Sequence, residues 1–245
     1  MNMEKKEYYV IDAGNSRTKL ARYYNDELRS VQLFDDSNED TLHEELRKIN
    51  SNPSILSSVV SEEKKNRLIE LLRPNIVLSE KTKLPISLEN YETPQTLGAD
   101  RIANVVAGYS LSSQENTLVI DIGTCVKFDF IDAQGIYQGG SISPGMMMRF
   151  KALYDYTGQL PLIETPEEAD LIGQSTFQSM NTGVMVGMNA EIDGMIALYN
   201  QKFTPLTIFL TGGDHKRFDK GLKNSIFAEN NLTLYGLYLI LRHNV

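Results

Sequence analysis

Short apolar runs punctuated by Gly, Asn-Asp or Pro dominate the first part of the chain, and they predict strands. Residues 8–11 are continuously apolar or aromatic and read as a buried strand that Gly14 breaks into a turn. Residues 17–24 and 29–34 read as two more strands, with Asn25-Asp26 as their hairpin turn. The pattern then lengthens to a helical period. Leu42, Leu46 and Ile49 share one face of a helix over 39–49. A mix of Ile, Leu and Val over 54–60 predicts a strand buried on both faces. Ser61 can cap a helix over 62–72, which ends before Pro74, and a short strand follows over 76–78. Residues 79–99 read as an irregular connection. A helix opens at Asp100 and runs to about Tyr109, with Ile102, Val105 and Val106 on its apolar face.

The same order then begins again. Residues 117–120, 126–131 and 136–141 predict three strands, with Gly135 supplying one turn. Helices follow over 146–156 and 176–199. Gly183 and Gly187 share a face of the longer one and permit close backbone approach, for tight packing or a subunit contact. A strand over 207–210 and a helix over 232–241 complete the chain. Each three-strand opening carries an apolar run, then Asp-x-Gly, then a small polar residue: Asp12-Ala13-Gly14-Asn15-Ser16 and Asp121-Ile122-Gly123-Thr124. This predicts an internal duplication of one α/β unit, with halves at 1–110 and 111–245.

Composition adds limits. Among 245 residues, 41% are hydrophobic and 23% charged, ordinary values for a globular chain with a sizeable core. A formal charge of −8 argues against a broad nucleic-acid surface. No apolar run approaches the ~20 residues of a membrane span. The start of the chain shows no signal-peptide core, and Cys125, the only cysteine, has no partner for an internal disulfide. These features lead us to expect a cytoplasmic protein of bacterial type, without membrane association. Cys125 reads as a small buried residue, and His43, His215 and His243 as isolated surface residues.

The chemistry these segments suit is phosphoryl transfer. It needs donors for phosphates, a neutralising cation, and a group to orient or deprotonate the acceptor hydroxyl. Gly after a strand-end Asp lets backbone N–H groups approach phosphate oxygens, and the carboxylate can hold Mg²⁺. Asn15, Ser16, Thr18 and Lys19 add donors and a charge; Thr124 repeats the hydroxyl. Gly212-Gly213 after a strand would let an adenine or ribose lie close to backbone. Each feature alone has a bland reading: a turn, a loop, a solvated lysine or, for Asp100, a helix cap. There is no Gly-x-x-x-x-Gly-Lys-Ser/Thr loop and no Gly-x-Gly-x-x-Gly fingerprint, so ATP would bind by another architecture.

Taken in order, these motifs resemble those of type III pantothenate kinases, in the acetate and sugar kinase/Hsp70/actin superfamily. Asp12 to Lys19 is similar to the family's first phosphate motif, and Asp121-Ile122-Gly123-Thr124 to the second. Leu97-Gly98-Ala99-Asp100-Arg101 is similar to its substrate and base motif, with Tyr91 at a pantothenate contact. Gly139-Gly140, Ser143-Pro144-Gly145, Ala152-Leu153 and Leu160-Pro161 follow the family's spacing. Thr176 matches a threonine that reaches the neighbouring subunit's pantothenate, and Thr211-Gly212-Gly213-Asp214 an adenosine motif.

The resemblance implies a duplicated ribonuclease-H-like, actin-like ATPase fold in a homodimer. It implies ATP-dependent phosphorylation of pantothenate, the first step towards coenzyme A, with Asp100 as base. ATP would meet Asp12, Gly14, Asn15, Ser16, Lys19, Thr124, Gly212 and Gly213; pantothenate would meet Tyr91, Gly98, Ala99, Asp100, Arg101 and Thr176. Asp12 would position Mg²⁺, and Asp121 a monovalent cation, K⁺ or NH₄⁺. The chain departs from the pattern at Ser16, Cys125, Lys127 and Ser175, and Lys127 is placed to alter the cation dependence. Two other readings share the scaffold: a non-catalytic regulatory protein, and a kinase of another small alcohol.

Overall fold

The structure is a computed structural model that describes residues 6–14, 17–49, 52–79, 81–218 and 226–245. Two compact units are present. The first contains residues 1–111, 135–137 and 231–245; the second contains 112–134 and 138–230.

In the first unit, β1 (Glu7–Ala13), β2 (Thr18–Tyr24), β3 (Glu27–Phe34), β4 (Ser54–Ser58) and β5 (Ile76–Val77) form a sheet of order β3-β2-β1-β4-β5. β1 is antiparallel to β2 and parallel to β4, and β4 is parallel to β5. Asn25 and Asp26 both take positive φ in the β2–β3 turn, the conformation their short polar side chains tolerate best. One face buries Ile11, Leu20 and Leu56 against α1 (Glu39–Lys48) and α2 (Glu62–Leu72), through Leu42, Leu46, Leu68 and Leu72. Ser61 caps α2, its hydroxyl accepting from the Lys64 N–H at 3.4 Å.

The other face of that sheet meets α6 (Leu232–Asn244), which also packs on α3 (Ala99–Leu111). α3 is buried all round from Arg101 to Gly108, beyond the single apolar face expected. The reason lies in α6: a Cβ on Gly236 would sit 1.8 Å from the Ala103 carbonyl oxygen, so the helices touch backbone to backbone. Buried Asn104 accepts from the Thr233 hydroxyl at 2.8 Å in the same contact.

The second unit repeats the plan. β6 (Thr117–Ile122), β7 (Cys125–Ile131), β8 (Tyr137–Pro144), β9 (Thr207–Thr211) and β10 (Phe227–Ala228) form a sheet of order β10-β9-β6-β7-β8. β6 is antiparallel to β7 and parallel to β9, as β1 is to β2 and β4. Its core sets Leu118, Ile120, Phe128 and Leu210 against α4 (Met146–Asp155) and α5 (Thr176–Lys202), which contribute Phe150, Val184, Met188 and Ile192. Among the described residues, no helix is long and apolar enough to cross a membrane.

Candidate functional site

In the first unit the expected site residues lie at two places, the end of β1 and the start of α3. Strand register sets Asp12 opposite Lys19 of β2 on one side and Ser57 of β4 on the other. The Ser57 hydroxyl donates to Asp12 Oδ1 at 3.3 Å. The Gly14 N–H closes the following turn on the Arg17 carbonyl at 3.0 Å. Asn15 and Ser16, expected at the phosphates, lie outside the described residues.

Asp100 stands in the first turn of α3, half-buried, and its Oδ1 accepts the Arg101 N–H at 2.9 Å. Gly98 gives that carboxylate its room, since a Cβ there would lie 2.6 Å from Asp100 Oδ1. Arg101 is buried, and its Nη2 donates to the Tyr137 hydroxyl at 2.8 Å. The Tyr137 ring is fully buried and lies 5.4 Å from that of Tyr91, centroid to centroid. The backbone reinforces this: Ser87 N–H donates to the Gly135 carbonyl at 2.8 Å, and Tyr137 N–H to the Ser87 carbonyl at 2.9 Å. Residues 135–137 thereby hold the irregular connection that carries Tyr91. Sequence reasoning missed Tyr137; one aromatic in a glycine-rich strand carries no signal of a partner 36 positions away.

The second unit places Asp121 at the end of β6, opposite Lys127 of β7 and Thr211 of β9. Lys127 Nζ is 2.8 Å from Asp121 Oδ2. The tight turn at Gly123-Thr124 closes with the Gly123 N–H on the Cys125 carbonyl at 3.0 Å, and leaves Thr124 exposed. Two segments clasp it, the Gly145 N–H donating to the Thr124 carbonyl and the Asp214 N–H to the Ile122 carbonyl, each at 3.0 Å. Cys125 is half-buried, less covered than expected, because its strand position sits beside this open turn.

The two glycines after β9 differ. Gly212 has φ +98°, and a Cβ there would fall 2.2 Å from the Ile122 carbonyl oxygen and 2.5 Å from Asp121 Oδ1. It lets the turn press on the end of β6. Gly213 is exposed, and among the described residues no atom lies within 4 Å of a Cβ placed there. The surface reading of two histidines fails. His215 is buried, with Nδ1 2.6 Å from the Gly212 carbonyl oxygen, so that nitrogen carries the proton and locks the turn. His43 is buried in α1 beside Glu39. In both, tertiary packing covers a ring that sequence alone leaves isolated. Burial pushes the Asp214 carboxyl above its usual range, with Arg217 opposing the shift.

Thr176 is the exposed first residue of α5, and Ser175 caps that helix by accepting the Gln178 N–H at 3.2 Å. Among the described residues, no three His, Cys, Asp or Glu side chains gather as a ligand set. Mg²⁺ needs none, since one or two carboxylates with water and substrate phosphates hold it.

A family model described as type III pantothenate kinase matches residues 8–198. The type III pantothenate kinase of Phocaeicola vulgatus is 44% identical over 239 residues, covering 96% of this chain and 98% of its own. Among solved structures, a conserved Campylobacter jejuni protein described as a Baf family transcriptional activator superposes with a TM-score of 0.64 at 22% identity, over 96% of this chain and 98% of its own. The inorganic polyphosphate/ATP-glucomannokinase of an Arthrobacter strain gives 0.54 at 12% identity, over 98% and 100%. The two structural likenesses speak to fold alone: an α/β architecture with a five-stranded mixed sheet in each unit.

Proposed function

The chain belongs to the type III pantothenate kinase family, and on that premise we propose how its residues divide the work. The reaction is ATP-dependent phosphorylation of pantothenate, in coenzyme A biosynthesis. The pantothenate hydroxyl oxygen attacks the γ-phosphorus, the bond to the bridging oxygen of ADP breaks, and the hydroxyl proton passes to the Asp100 carboxylate. Gly98 keeps that carboxylate uncrowded. Arg101, through Tyr137, holds Tyr91 for the substrate, alongside Ala99 and Thr176.

Gly14, Asn15, Ser16, Lys19 and Thr124 receive the phosphates, and Gly212-Gly213 the adenosine. Asp12 suits Mg²⁺: it is one half-buried carboxylate at a strand end, steadied by Ser57, and Mg²⁺ takes its other ligands from phosphate and water. When bound, the ion neutralises charge on the transferring group. The resemblance also assigns K⁺ or NH₄⁺ to Asp121. That carboxylate already carries the Lys127 ammonium, so the residues present do not fit a second monovalent cation.

A homodimer completes the reading. Gly183, Gly187, Ala190 and Gly194 form an exposed stripe on α5, and among the described residues no atom lies within 4 Å of a Cβ placed at any of the three glycines. Close helix approach across subunits would suit that stripe and bring Thr176 to a neighbour's substrate. The formal charge of −8 fits a small-molecule enzyme better than a nucleic-acid binder, and we place it in the cytoplasm.

The observation that carries the assignment of roles is the repeated strand-end Asp, each in register with a lysine, together with Asp100 beside Gly98. A coupled ADP-release assay tests it. Turnover is expected with pantothenate and not with a panel of other small primary alcohols. Preference for another alcohol would overturn the substrate assignment, and no turnover with any would leave a regulatory scaffold.

A further inference from the structure

The register of the two sheets shows a correspondence between Lys19 and Lys127. Asp12 stands between Lys19 and Ser57, and Asp121 between Lys127 and Thr211. Directly opposed residues on neighbouring strands project to the same face. The duplication therefore repeats a row of lysine, aspartate and hydroxyl beside each Gly-containing turn. In the second row the lysine and aspartate are joined at 2.8 Å, with only 19% and 13% of the two side chains exposed.

We propose that the Lys127 ammonium is a cation built into the second phosphate motif, and that it frees the enzyme from any added monovalent cation. This rests on the reading of Gly123-Thr124 as a phosphate turn. A lysine ammonium is chemically an ammonium ion on a tether. It is already held on the carboxylate where a free K⁺ or NH₄⁺ would have to bind, and like charge opposes a second cation there. Its position opposite Asp121, one residue inside the turn formed by Gly123 and Thr124, directs its charge to phosphates received by that turn. The plain alternative is an ion pair that only braces the β6–β7 hairpin. Buried pairs of that kind add little net stability, though losing one partner is costly.

The test follows ATP binding by calorimetry, without pantothenate, beside turnover, in Tris or Na⁺ buffer with and without K⁺ or NH₄⁺. The native chain is expected to show the same ATP affinity and turnover in every buffer. Lys127→Met should weaken ATP by about tenfold or more, the worth of one charged hydrogen bond, and NH₄⁺ should restore part of the loss. Lys127→Arg, which keeps the charge, should stay independent of added cation. Tenfold stimulation of the native chain by K⁺ would overturn the proposal. So would a Lys127→Met protein with native ATP affinity and only a lower melting temperature. If Lys127→Met does not fold, the native and Lys127→Arg measurements still decide. Failure of the pantothenate assignment would appear in turnover alone and leave the ATP measurements interpretable.

Discussion

At the scale of single residues, two carboxylates separate chemistry from packing. Asp100 sits in the first turn of α3, where a carboxylate can cap as well as act as a base. Asn caps about as well as Asp but takes no proton. Asp100→Asn is therefore expected to keep its fold and ATP affinity while turnover falls by about 10² or more. Near-normal turnover would make Asp100 a cap and nothing else. Asp214 has no such role; burial raises its pKa in the folded state. A raised carboxyl pKa means the folded chain binds the proton more tightly than the unfolded one. The cost is absent below the unfolded pKa, about 3.9, and grows as pH rises through the folded value. Asp214→Asn should then raise the melting temperature at pH 7, and the gain should vanish near pH 3. An equal gain at both pH values would show that the carboxylate's charge is not the cause. The burial of single residues is also where reading the chain failed. His43 and His215 look isolated along the sequence, and only folding puts neighbours over them.

At the scale of elements, order and type were legible, because period 2 and period 3.6 leave different marks on a sequence. The Asn25-Asp26 hairpin and the Ser61 cap followed from local chemistry and stand in the structure. Ends were less legible. β6 runs on to Ile122 and α5 to Lys202, past the expected 120 and 199, since pairing and packing extend an element beyond its apolar signal. β10 has two residues and exists by pairing with β9, which no local pattern announces. The α3–α6 contact belongs to this scale too. Adding a Cβ at Gly236 must push two backbones apart. Gly236→Ala is expected to destabilise by about 1–3 kcal/mol. Thermal melting should show a fall of roughly 2–10 °C for a chain of this size; an unchanged midpoint would mean the contact relaxes at no cost.

At the scale of the whole molecule, the duplication was expected from two Asp-x-Gly turns and is visible strand by strand. Packing assigns α6 to the first unit, although it follows the second in sequence. The expected halves, 1–110 and 111–245, were drawn from the sequence repeat, whereas the compact units follow contacts. The proposed dimer makes a prediction of its own. Gly187→Arg places a large charged side chain on an open face of α5, so it should leave the subunit intact. Sedimentation should then show monomers at micromolar protein, with pantothenate affinity lost because Thr176 no longer reaches a neighbour. A fully active native monomer would rule the dimer out.

The sequence by itself determined the repeated α/β plan, the turn chemistry and the family, since these rest on local periodicity and on ordered motifs. Tertiary structure alone decided which residues those motifs lean on. Tyr137 behind Arg101 and Tyr91, His215 behind Gly212, and Lys127 on Asp121 are contacts made by strand register and chain return. Register is cooperative: one hairpin that is a residue shorter still brings Lys127 opposite Asp121, as Lys19 is opposite Asp12. The window from Asp121 to Lys127 holds both residues and makes Lys127 a candidate, but the pairing itself is set by the hydrogen-bond ladder across the strands.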